Sequence, residues 1–130
     1  MSEFDTMTLP GAPTVRAPDG SEVRILLGLP RGGLAEFRLT PGQVSRAVCH
    51  RTVEEIWYVT EGRGRIWRKA DGREEMTELH PGICLTIPLG TGFQFRAEAD
   101  SALAVIGVTM PPWPGGDEAY PVEGPWEPTV

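Results

Sequence analysis

His50 and Glu55 are the pair in this chain whose types and spacing could do chemistry. They lie five apart in the stretch from Val48 to Val59. Thr52 and Val53 can end one strand, and Glu55 to Val59 reads as the next. Side chains alternate faces along a strand, so a tight connection brings both groups to one interior. An imidazole held by a carboxyl can act as general acid or base near neutral pH. Burial would raise the carboxyl's pKa, while a nearby imidazolium would lower it.

Parity extends the site. If His50 faces inward, so do Val48 and Arg46. If Glu55 does, so do Trp57 and Val59. Phe93 carries Phe95 with it, and Arg65 shares a face with Trp67. The expected pocket has His50 and Glu55 as its catalytic groups. Arg46, Val48, Trp57, Arg65, Trp67, Phe93 and Phe95 are its expected ligand-binding residues. An apolar lining with a few convergent polar groups is the usual character of a small-molecule site. Glu54 should point to the opposite, solvated face. His80 precedes Pro81-Gly82 and reads as a surface turn residue. Cys49 and Cys84 lack metal-site spacing and read as two buried free thiols. No phosphate loop or nucleophile elbow is present.

The elements that must position this pair are strands. Turn signals such as Pro18-Asp19-Gly20, Thr40-Pro41-Gly42 and Ala70-Asp71-Gly72 recur every 8–12 residues, as in β-sandwiches and barrels. Strands are expected at 14–17, 22–29, 34–39, 43–50, 55–60, 64–69, 75–79, 84–87, 93–97 and 102–110. No helical period runs beyond a turn or two. Residues 1–13 read as a flexible N-terminal arm, 14–112 as the barrel domain, and 113–130 as a Pro/Trp-rich C-terminal tail. The prolines bar that tail from a central strand. Disordered tails are poor in aromatics, so Trp113 and Trp126 are expected to pack on the barrel or on a second subunit.

The chain has 130 residues, 40% of them hydrophobic, which suits one domain with one core. Its 16 Gly and 13 Pro favour an all-β protein over a helical one. A net charge of −6 argues against nonspecific nucleic-acid binding, which needs a basic face. No apolar run approaches the length of a membrane span, and the start has no secretory signature. The expected setting is cytoplasmic, with no membrane partner.

Two stretches resemble the conserved motifs of the cupin superfamily. In the first, His50, four residues, Glu55, six residues and Gly62 match the second His, the Glu and the closing Gly of the family pattern. Val48 stands where that pattern has its first His. In the second, Gly82, Pro88 and Gly90 match in spacing, while Phe93 replaces a His and Ala97 an Asn. The resemblance implies a double-stranded β-barrel of two antiparallel sheets, of the small single-domain kind. In metal-binding cupins three His and one Glu hold a divalent ion. That role carries over only to His50 and Glu55, so the resemblance implies at most a weakly bound divalent metal and no other certain cofactor. Cupins of this size commonly pair, and the Ile56/Tyr58 face would suit a homodimer. The function implied is small-molecule binding at His50 and Glu55. The alternative is an enzyme: a proton-transfer isomerase, lyase or cyclase, or a weakly metal-dependent oxygenase.

Overall fold

The computed structural model describes residues 4–130. Among them are eleven strands and no helix. In chain order they are β1 (Val15–Arg16), β2 (Glu22–Leu29), β3 (Gly32–Leu39), β4 (Val48–His50), β5 (Glu54–Glu61), β6 (Gly64–Ala70), β7 (Arg73–Leu79), β8 (Cys84–Ile87), β9 (Gly92–Ala97), β10 (Leu103–Met110) and β11 (Ala119–Pro121). They form two antiparallel sheets. One is six-stranded in the order β1-β2-β3-β10-β5-β8, and the other is five-stranded in the order β11-β4-β9-β6-β7.

The core lies between the sheets. Trp57 and Val59 of β5, Val105 of β10 and Leu39 of β3 meet Ile66, Phe93 and Phe95 from the opposite sheet. Strand β5 alternates cleanly, with Glu55, Trp57 and Val59 buried between exposed Glu54, Ile56 and Tyr58. That is the period-2 pattern of a sheet with one buried face. The β6–β7 hairpin turns at Asp71 and Gly72, with φ of 50° and 74°. Positive φ at both central residues gives the right-handed twist a two-residue hairpin needs.

Two expectations need correction. The strand expected over 43–50 is regular only at Val48–His50. Upstream of it there is an isolated bridge between Val44 and Arg96. Cys49 is buried, but Cys84 is exposed. The tail forms no central strand, as expected, but it does reach the sheets, with β11 pairing with β4 at an edge. Residues 1–3 of the expected arm lie outside the described residues. Farther along the arm, the Arg24 side chain donates to Pro10 and Gly11 carbonyls at 2.9 and 3.3 Å.

Candidate functional site

His50 ends β4 and Glu55 sits second in β5. The corner between them is pinned from a distance by Glu118. Its carboxylate accepts hydrogen bonds from the Thr52 and Val53 amides at 2.7 and 3.0 Å, and from the Thr52 hydroxyl at 2.5 Å. Burial opposes ionisation of Glu118, but these bonds outweigh it and hold its carboxyl below the usual range. The corner so fixed brings His50 Nδ1 to 3.1 Å from Glu55 Oε2. Nδ1 nevertheless makes no hydrogen bond. The two groups are in contact without a formed hydrogen bond. Glu55 Oε1 accepts a better-formed bond from Trp57 Nε1 at 2.9 Å.

Both groups are almost fully buried, His50 at 7% and Glu55 at 4% exposure. Burial penalises the charged form of each. It pushes the Glu55 carboxyl up to about 7, against the lowering effect of the Trp57 bond. It pushes the His50 imidazole down to about 4, against the charge of Glu118. Between those two values the pair is neutral, with its proton on the carboxyl.

The pair stands at a cavity of about 760 Å³. Phe37, Trp57, Phe93, Val48 and Ile25 supply much of the wall, and Trp113 closes over His50. The imidazole stands edge-on to two rings, with centroids 5.3 Å from Phe93 and 5.0 Å from Trp113. Trp57 packs edge-on against Phe93 and Phe95 at 5.8 and 4.9 Å. Gly107 makes room for this cluster, since a Cβ there would lie 2.6 Å from the Phe37 ring and 3.0 Å from Trp57.

The structure brings together His50, Glu55, Val48, Trp57 and Phe93 at the cavity, with Phe95 behind them in the core. It separates Arg46, Arg65 and Trp67 from that group. Arg46 is exposed, and its guanidinium donates to the Val130 carbonyl at 2.9 Å. Its segment is irregular, so parity counted back from His50 fails before reaching it. Arg65 and Trp67 do share a face, but it is the outer one, because Ile66 between them lies in the core. Arg65 pairs there with Glu78, and Trp67 Nε1 donates to Glu74 at 2.6 Å. Sequence reasoning missed Phe37, Trp113 and Glu118 as parts of the site. Trp113 carried a signal as an aromatic in a proline-rich tail. Glu118 carried none, because its partners lie about 65 residues upstream.

The donor set does not fit a resident divalent metal. Val48 and Phe93, at the two positions lacking the family's His, are direct cross-strand partners and present only hydrocarbon. His80 and Cys84 are both exposed, away from the cavity lining. Among the described residues there is no group of three or more His, Cys, Asp or Glu that could hold an ion. Nor is any described helix long and apolar enough to cross a membrane.

Residues 35–109, more than half of the chain, match the family model described as a cupin domain. The chain is a cupin. This cupin finds no match among curated proteins. Its fold is similar to that of KdgF from Halomonas sp., with a TM-score of 0.62 and 22% identity over 71% of this chain and 81% of that one. It is also similar to oxalate decarboxylase from Bacillus subtilis, with a TM-score of 0.74 and 17% identity over 94% of this chain. The cupin spans only 33% of that decarboxylase. A domain of Drosophila melanogaster CENP-C gives a TM-score of 0.63 and 18% identity over 70% of this chain and 67% of that one. At such identities the likeness is one of fold.

Proposed function

We propose that this cupin binds a small molecule in the cavity centred on His50 and Glu55. The observation that carries the reading is the buried His50–Glu55 pair standing at a cavity of about 760 Å³ with aromatic walls. A cavity of that size takes a drug-sized ligand. The pair is also costly to bury, and a ligand that hydrogen-bonds it would offset that cost.

A second reading has its own support. A carboxyl titrating near 7 beside an unprotonated imidazole is suited to proton transfer at neutral pH. An isomerase, lyase or cyclase fits that arrangement better than an oxygenase does, given the hydrocarbon at Val48 and Phe93.

Thermal shift with a ligand found by screening tests the binding reading. His50→Ala should abolish the ligand-induced shift while the fold survives. Glu55→Gln should weaken it less, because the amide still supports the ring. Glu54→Gln, on the exposed face, should leave it intact. An unchanged shift in His50→Ala would remove His50 from the site.

A further inference from the structure

The charges around the cavity say which ligands it can take. Among its lining residues Arg16 alone is a cation, and its guanidinium is engaged by the Gly20 carbonyl at 2.8 Å. The other arginines near this end are committed elsewhere. Arg46 bonds Val130, while Arg51 bonds the Asp117 carbonyl and covers the Tyr120 ring. The two acids of the lining, Asp19 and Glu55, are both buried. An anionic ligand would therefore enter a mostly apolar space holding two buried carboxyls, with only the exposed Arg16 as a lining cation, at a large desolvation cost.

A cationic ligand fares little better. Asp19 Oδ1 is taken by the Ser21 amide and hydroxyl at 2.9 and 2.7 Å. Glu55 Oε1 is taken by Trp57, and Oε2 faces His50. Each carboxyl keeps one oxygen without a hydrogen bond, but both are buried in a mostly hydrocarbon lining, where pairing with a carboxylate does not repay a cation's desolvation. The imidazole can meet a neutral ligand. Its Nδ1 is turned to Glu55, so Nε2, on the other side of the ring, is the nitrogen left for a ligand. Trp113 lies beside it, its ring centroid 5.0 Å from that of the imidazole, and lines the same cavity.

We infer that the ligand is an uncharged, mainly apolar or aromatic molecule that offers one hydroxyl-like group to His50 and packs its hydrocarbon against Trp113. This inference rests on the cavity being the binding site, as proposed above. Trp113 thereby becomes a specificity residue contributed by the C-terminal segment.

Four probes with one carbon skeleton test it by calorimetric titration at neutral pH: naphthalene, 2-naphthalenemethanol, 2-naphthoate and 2-naphthylmethylammonium. The alcohol should bind about tenfold more tightly than either ion, since a single uncompensated buried charge costs at least that much. It should also exceed naphthalene, and His50→Ala or His50→Gln should erase that excess alone. Trp113→Ala should weaken naphthalene and the alcohol by a similar factor. Carboxylate or ammonium binding as tightly as the alcohol, with dependence on His50, would overturn the ligand class and leave the site standing. Binding of none of the four would overturn the site and the class together.

Discussion

At the scale of residues, His50 and Glu55 store opposite pH dependences. Glu55 keeps its proton in the fold up to about 7, whereas the unfolded chain releases it near 4.5. The fold binds the extra proton across that window. Stability from Glu55 is thus full below 4.5 and lost as pH rises through 7. His50 runs the other way. The unfolded chain takes up its proton near 6.5 and the fold only near 4. Stability from His50 is full above 6.5 and lost as pH falls through 4. In the overlap the two slopes offset each other, and the pair leaves little mark on the parent's profile. Removing one partner should uncover the other. Relative to the parent, His50→Gln should lose stability as pH rises across the overlap, and Glu55→Gln should gain it. Each slope should approach about 1.4 kcal/mol per pH unit. Urea unfolding at a series of pH values measures both, and curves parallel to the parent's would mean that the pair titrates at ordinary values.

At the scale of elements, the C-terminal segment is the least expected part of the site. Val122 and Thr129 amides donate to the Ala47 and Val44 carbonyls, each at 3.0 Å. The Gln94 amide group donates to Ser45 and Trp126 carbonyls at 2.8 and 2.9 Å, and Arg96 stacks over Trp126 at 4.6 Å. These bonds explain why 44–47 is irregular: its partners come from the tail. They also explain the errors over Arg46 and Trp67. Parity works where one face of a strand is covered, as in β5, and Glu55, Trp57 and Val59 were legible for that reason. It fails where both faces are covered. Ile66 and Trp67 are both buried, with Val122 of the tail beside the Trp67 cavity. The turns and most strands were legible because Gly, Pro and Asp mark them locally. The cover of the tail was not, because its contacts are long-range. Glu118 gives the test. Glu118→Ala removes three hydrogen bonds to the corner carrying His50 and Glu55, for a loss of roughly 3 kcal/mol. Glu118→Gln should lose less. Both should weaken ligand binding without touching the cavity wall, and calorimetric unfolding with and without ligand reads the two effects separately. Full stability in Glu118→Ala would show that the corner holds itself.

At the scale of the whole molecule, the outer face of the six-stranded sheet carries an apolar patch, one edge of which, Leu34, also borders the cavity. Leu34 of β3 pairs with Val108 of β10, and Val108 with Ile56 of β5. One row over, Ile106 pairs with Tyr58, and Tyr58 with Cys84 of β8. Leu34, Ile56 and Tyr58 are 40%, 42% and 51% exposed. Two adjacent rows of half-exposed and exposed apolar side chains, each spanning three strands and ending at Thr86 or Glu36, form a surface that a partner can cover, unlike the same residues scattered singly. We propose a second copy of this chain as the cover, joined face to face across a two-fold axis. Charge decides how such a dimer should respond to solvent. Each copy carries a net charge of −6, so approach is opposed by long-range repulsion and favoured by apolar burial. Salt screens the first and leaves the second. Association should therefore strengthen as salt is raised, opposite to an interface held by ion pairs. Ile56→Lys with Tyr58→Lys places charges in the middle of the patch and should give a monomer at all salt concentrations. The same variant should keep its affinity for a cavity ligand, because both side chains point away from Glu55 and Trp57. Light scattering at tens of micromolar protein, in low and high salt, measures this. A parent that stays monomeric in high salt would leave the patch without a partner of its own kind.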